Sequence, residues 1–109
     1  MRNWIVGCAA GALLVAGLMA QDKGKPGVAA KGKEVFDQCS VCHNADSEET
    51  KVGPGLKGLF KHAKLANGKP VSEANVREKI NDGGNGMPAY SDQLSDQDKN
   101  DVIAYLKSL

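Results

Sequence analysis

Apolar positions recur three or four residues apart in several stretches of this chain and nowhere alternate with polar ones, a pattern that predicts helices and no strands. The last stretch carries the clearest signal. Ser95 stands as an N-cap, Asp96 and Asp98 follow where the positive end of a helix favours anions, and Lys107 lies near the far end. Its apolar residues, Val102, Ile103, Tyr105, Leu106 and Leu109, form a face that must bury against a partner. The run from Ala29 to Cys39 offers one, because Gly32 and Phe36 fall four apart on one side and a glycine lets two backbones approach closely. A further helix is expected from the Ser72 cap through Ile80, with Val76 and Ile80 on one face, and a short one over Leu59 to Leu65. Loops separate them: residues 44–58, rich in Gly, Pro, Ser, Asp and Lys; a turn over Ala66 to Pro70; and Gly83-Gly84-Asn85-Gly86, which permits positive φ at adjacent positions.

The N-terminus departs from this pattern. Arg2 precedes an uncharged run from Trp4 to Ala20, so residues 1–20 are expected to be a secretory signal peptide. Leu18 stands where the cleavage site wants a small residue, and if cleavage fails, residues 4–20 are at the short end of what spans a bilayer and would tether the domain. A lipoprotein box at Cys8 is a third reading, but almost no apolar sequence precedes that cysteine, which reads more simply as a small apolar residue. All three export the domain, so a periplasmic location is expected. Residues 21–28 read as a flexible lead-in and residues 29–109 as the domain.

Composition narrows the field. A chain of 109 residues, 41% apolar and 25% charged, makes one small domain and leaves no room for a fused catalytic one. With 14 Lys and Arg against 13 Asp and Glu, no electrostatic surplus drives nucleic-acid binding. A domain so small buries little apolar surface and is expected to need a disulfide, a metal or a bound cofactor.

Cys39-Ser40-Val41-Cys42-His43 supplies the candidate staple, since C-x-x-C-H is the attachment signature of c-type haem. Two thiols one helical turn apart can each add to a haem vinyl group, while the adjacent histidine turns toward the iron. A redox disulfide of thioredoxin type would want a βαβ setting that this pattern lacks. A structural zinc site would have to draw on Cys39, Cys42, His43 and His62, which do not have zinc-finger spacing. For a sixth iron ligand, Met87 is the one methionine left after residues 1–20 are removed, and its glycine-rich approach and Pro88 suit close contact with a flat macrocycle; a plain core methionine is the alternative. His62 is the competing ligand, and Lys61, Lys64 and the Asn67-Gly68 turn around it suggest instead an ordinary surface histidine.

These pieces in this order resemble a small bacterial class I cytochrome c: Gly32 and Phe36, the Cys39–His43 motif, Gly53-Pro54-Gly55-Leu56-Lys57-Gly58-Leu59-Phe60, Gly86-Met87-Pro88, and the terminal helix with Val102, Tyr105 and Leu106. The resemblance runs from Lys31 to the C-terminus. It implies an all-α fold of three to five short helices around one haem c attached through Cys39 and Cys42, with His43 and Met87 on the iron. It also implies that the Pro54 carbonyl accepts a bond from the other ring nitrogen of His43, although Gly53-Pro54-Gly55 alone reads equally as a turn. Leu56, Leu59, Phe60, Val76, Ile80 and Leu94 are candidates for the haem pocket wall or for plain core, and Tyr90 is expected near the methionine side. With no Trp after residue 20, propionate contacts through an indole are ruled out.

The function expected is a carrier of single electrons between redox proteins outside the cytoplasm, a monomer without catalytic groups, meeting its donors and acceptors in short-lived complexes. Lys51, Lys57, Lys61 and Lys64 form either a basic rim for an acidic partner or ordinary solubilising charge, and Ser47 to Thr50 reads as a solvated acidic loop. The rival is a haem sensor or small haem enzyme, which would need an open sixth position on the iron.

Overall fold

Ser95 starts the longest helix as its sequence requires. Its hydroxyl accepts the N–H of Asp98 at 3.0 Å, while the Asp98 carboxylate accepts the N–H of Ser95 at 3.3 Å, so two donors a helix start leaves unpaired are satisfied together. This helix, α3, spans Asp96–Lys107 in a computed structural model that describes residues 24–109. The signal peptide and tether expected over residues 1–20, and residues 21–23 of the lead-in, lie outside the described residues. Before α3 come α1, Ala29–Phe36, a 3-10 turn at Leu59–Lys61, and α2, Glu73–Asp82. Ser72 caps α2 as expected, its hydroxyl accepting the N–H of Asn75 at 3.0 Å. No strand occurs among the described residues, only isolated bridges at Lys64–Pro70 and Gly84–Met87. None of the described helices is long and apolar enough to cross a membrane.

The two helices that fall short of their predicted length do so for local reasons. Beyond Phe36 the chain keeps winding, as hydrogen-bonded turns through His43, with Cys39 and Ser40 both donating to the Phe36 carbonyl. The helix expected over Leu59 to Leu65 stops after one turn because the next residues pair across the Asn67–Gly68 turn: Leu65 N–H donates to Lys69 O at 2.8 Å and Val71 N–H to Ala63 O at 3.1 Å. Those groups are then spent and cannot extend a helix.

α1 crosses α3 at the predicted glycine. A Cβ at position 32 would lie 1.9 Å from the carbonyl oxygen of Asp101, so the two backbones touch there. One turn on, the Phe36 and Tyr105 rings pack tilted with centroids 5.4 Å apart. Phe36, Val76, Ile80, Leu94, Val102, Ile103 and Leu106 form one buried core, each such side chain stabilising the fold by about 1.5–3 kcal/mol relative to exposure. α2 is joined to α3 by an Arg77–Asn100 hydrogen bond and an exposed Lys107–Glu73 pair.

The polar side of α3 is busier than its pattern suggests. Asp101 is 3% exposed, and its Oδ1 accepts the N–H of Val28 at 2.8 Å. Val28 is the N-cap of α1 and has no capping group of its own, so a carboxylate from another helix stands at the positive end of α1 in its place. Gln97 holds the backbone of Lys25 in both directions, at 2.7 and 3.2 Å, and Asn100 donates to the same carbonyl at 2.9 Å. Residues 24–28, expected as a flexible lead-in, form no element of their own but are fixed along α3. Their Gly and Pro content favours extended backbone, and amide side chains on α3 meet the donors and acceptors that such backbone leaves open. Lys99, also buried, donates to the Ser91 carbonyl at 3.1 Å and so ties the segment before α3 to the helix itself.

Gly32→Ala is therefore expected to destabilise the protein by about 1–3 kcal/mol, the usual cost of forcing a methyl into a closed contact. Denaturant unfolding checks this, and a variant matching the wild type would mean that the two helices can separate freely at the crossing.

Candidate haem-binding site

The turns that follow α1 carry the C-x-x-C-H motif. Cys42 and His43 donate to the Cys39 carbonyl at 3.1 and 2.9 Å, so the two cysteines sit one turn apart on the same side. Both are half-buried, and neither forms a disulfide. Before any bond is made to its sulfur, burial raises the Cys39 thiol above its ordinary pKa, and Cys42 beside it raises it further. Tyr90, expected on the methionine side, is half-buried against the core, and its phenol is raised by burial first and then by Cys39 and Cys42.

His43 is oriented by the loop beneath it. Its Nδ1 lies 2.7 Å from the Pro54 carbonyl oxygen, and since a carbonyl can only accept, Nδ1 carries the proton and the Nε2 lone pair is left free. The Pro54 contact implied by the resemblance is present in the fold. Gly53 is more than part of a turn: a Cβ there would lie 2.6 Å from His43 Cε1 and 3.1 Å from Nε2. The ring thus rests flat on backbone. The loop is pinned by Gly53 N–H to Cys42 O at 2.7 Å and by Leu56 N–H to Asn44 O at 2.8 Å.

The candidate pocket residues divide by burial. Val76, Ile80 and Leu94 belong to the buried core, whereas Leu56, Leu59 and Phe60 are only half-buried against it, as are Leu65, Val71 and Tyr90. Leu65 and Val71 carry no signal in the amino-acid order as pocket residues, because they flank a polar turn and belong to no helical stripe. Met87 follows a tight turn in which Asn85 has φ 53° and Gly86 φ 91°, closed by Gly84 N–H to Met87 O at 2.9 Å and Met87 N–H to Gly84 O at 3.1 Å. His62 keeps to the surface, its Nε2 3.6 Å from a Glu48 carboxylate oxygen. Of the lysines, Lys51 donates to the Ser40 carbonyl at 2.9 Å, beside the motif, and all four of the candidate rim are exposed.

The family model for cytochrome c matches residues 29–109. The chain belongs to the cytochrome c family. It is 35% identical to a cytochrome c2 of Blastochloris viridis, in an alignment covering 98% of this chain and 93% of that one. It is 37% identical to a cytochrome c6 of Leptolyngbya boryana, over 72% of this chain and 88% of the relative. Among solved structures it is similar to cytochrome c6 from the diatom Phaeodactylum tricornutum, with a TM-score of 0.58 and 27% identity, over 75% of this chain and 93% of that one. This cytochrome is accordingly a small class I, all-α, monohaem carrier of single electrons, with one haem c bound covalently through Cys39 and Cys42.

The residues present fit that group. Two half-buried cysteines outside any disulfide, an imidazole whose Nδ1 is held by a carbonyl so that Nε2 is the nitrogen left to ligate, and apolar side chains that pack on the core without being fully covered are the donor set and the surface a covalently held macrocycle needs.

Replacing both Cys39 and Cys42 with serine is expected to make all haem extractable into acidified organic solvent, whereas none should leave the wild type. Gly53→Ala is expected to push the His43 ring off its seat. The readout is the low-spin absorption of the ferric protein, in which a high-spin fraction should grow.

Proposed function

We propose that His43 and Met87 are the two axial ligands of the haem iron, and that the domain passes electrons between redox proteins outside the cytoplasm. The observation that carries this is the His43 to Pro54 hydrogen bond, at 2.7 Å, which leaves Nε2 as the one ring nitrogen able to ligate and raises its basicity. When bound, the haem supplies an iron that alternates between ferric and ferrous states.

The chain's residues set how that iron behaves. Pro54 and Gly53 hold His43 in one tautomer and one orientation in both oxidation states, which keeps reorganisation small. Met87, the one methionine among the described residues, offers a soft thioether that favours the ferrous state and raises the potential. Leu56, Leu59, Phe60, Leu65 and Val71, half-buried against the core, would give the macrocycle an apolar wall and keep water from it. His62, paired with Glu48 at the surface, stays off the iron.

Partner exchange follows from the charge balance. The basic and acidic side chains are nearly equal in number, so long-range steering is modest, and contacts are small and short-lived, with exposed Lys51, bonded to the Ser40 carbonyl, as a basic group beside the motif. The Arg2 and Trp4–Ala20 segment supports export, and the domain works there as a monomer.

Optical spectra of the oxidised and reduced protein test the ligand set. The wild type is expected to be low-spin with a methionine-to-ferric charge-transfer band, Met87→Ala to lose that band and shift to a lower potential, and His62→Ala to change neither. A high-spin wild type that takes up added ligands readily would instead make the sixth site open and the protein a sensor or small enzyme.

A further inference from the structure

The segment that presents Met87 is suspended from the end of α2, with Lys99 of α3 holding its far end at the Ser91 carbonyl and a side chain of α2 itself, Lys79, holding its start at the Gly83 carbonyl. Three carbonyls of the last turn of α2, those of Lys79, Ile80 and Asn81, accept the N–H groups of Gly83, Tyr90 and Ser91 at 2.8, 2.9 and 3.3 Å, so the chain leaves the helix at 83 and returns to it at 90–91. At the exit Gly83 has φ 64°, and a Cβ there would lie 2.3 Å from the Met87 carbonyl oxygen and 2.6 Å from that of Pro88. The backbone of residue 83 is thus packed directly on the backbone of the methionine and its neighbour.

Lys79 grips this contact from both ends. Its carbonyl accepts the Gly83 N–H, and its Nζ donates to the Gly83 carbonyl at 3.1 Å, part-buried. The ammonium also stands 3.5 Å from the Cβ position of Gly84, over the start of the turn that delivers Met87, and at the negative end of the helix, where a cation is favoured. A charged donor on a carbonyl is roughly twice as strong as a neutral one. We propose that Lys79 is a positioning residue for Met87: its ammonium latches the 83–91 segment to α2 and thereby sets how often the thioether leaves the iron. This rests on the reading of Met87 as a ligand. Added ligands reach the sixth position only from the state in which the segment has opened, so the population of that state is read directly by their affinity.

The test is imidazole binding to the ferric, haem-loaded protein, together with the temperature at which the methionine-to-ferric band disappears and the temperature of global helix loss. Lys79→Ala and Lys79→Met remove the latch, and neither weakens α2 intrinsically, because alanine and methionine are good helix formers. Both are expected to bind imidazole about tenfold more tightly than the wild type and to lose the band at a lower temperature, with a smaller change in global melting. Lys79→Arg keeps a charged donor and is expected to restore most of the difference. The two truncations differ in the apolar stem they keep, so failure of one to fold leaves the other to decide. If both bind imidazole within about twofold of the wild type while Met87→Ala loses the band, the latch is refuted and Met87 remains a ligand. A drop of band and global melting in step, without rescue by Lys79→Arg, also overturns it. If the band survives in Met87→Ala, the ligand reading fails and the latch fails with it.

Discussion

At Gly32 the backbones of α1 and α3 are in contact, with the Asp101 carbonyl oxygen where a side chain would begin, and the direction in which α1 leaves that crossing places the cysteine turn. Phe36 closes the core one turn later, against Tyr105, and the same residue's carbonyl accepts the N–H groups of Cys39 and Ser40. The last buried residue of α1 is thus also the anchor of the first haem-bearing turn. A shift of the crossing by one methyl group would be felt at the thiols, because no flexible link separates the two.

From that turn the site is assembled by loops with little apolar content of their own. The 44–58 segment folds under His43 and supplies a carbonyl and a side-chain-free backbone, and these two things decide which nitrogen is free and which way the ring faces. The methionine segment works on the same physical basis, hung from terminal carbonyls of α2 that a helix end leaves without partners. In both cases irregular chain becomes rigid by satisfying backbone groups rather than by burying side chains, which leaves the half-buried apolar wall for the macrocycle.

α3 takes the greatest share of this task. One side of it is the core; the other, through Gln97, Lys99, Asn100 and Asp101, fastens the segments at 24–28 and at Ser91 and caps α1. A domain too small to hold itself by apolar burial alone gains order from polar side chains that reach outward from one helix to extended chain.

The motif, the two serine caps, the glycine at the crossing and the scarcity of methionine were all legible in the amino-acid order, because each depends on neighbours within four residues or on a count. Fold class, covalent haem and the main helices follow from them. Asp101 was not legible: it is a charged residue inside an amphipathic helix, and its burial at the start of α1 depends on a partner 73 positions away. The same holds for Gly53, whose missing side chain matters only once His43 lies on it, for Lys79, whose ammonium meets a carbonyl only after the chain turns at a positive φ, and for residues 24–28, whose composition predicts freedom but whose backbone α3 bonds at Lys25 and Val28. Local pattern decides what a segment can become; which backbone groups remain for distant side chains to satisfy is decided only when the helices have crossed.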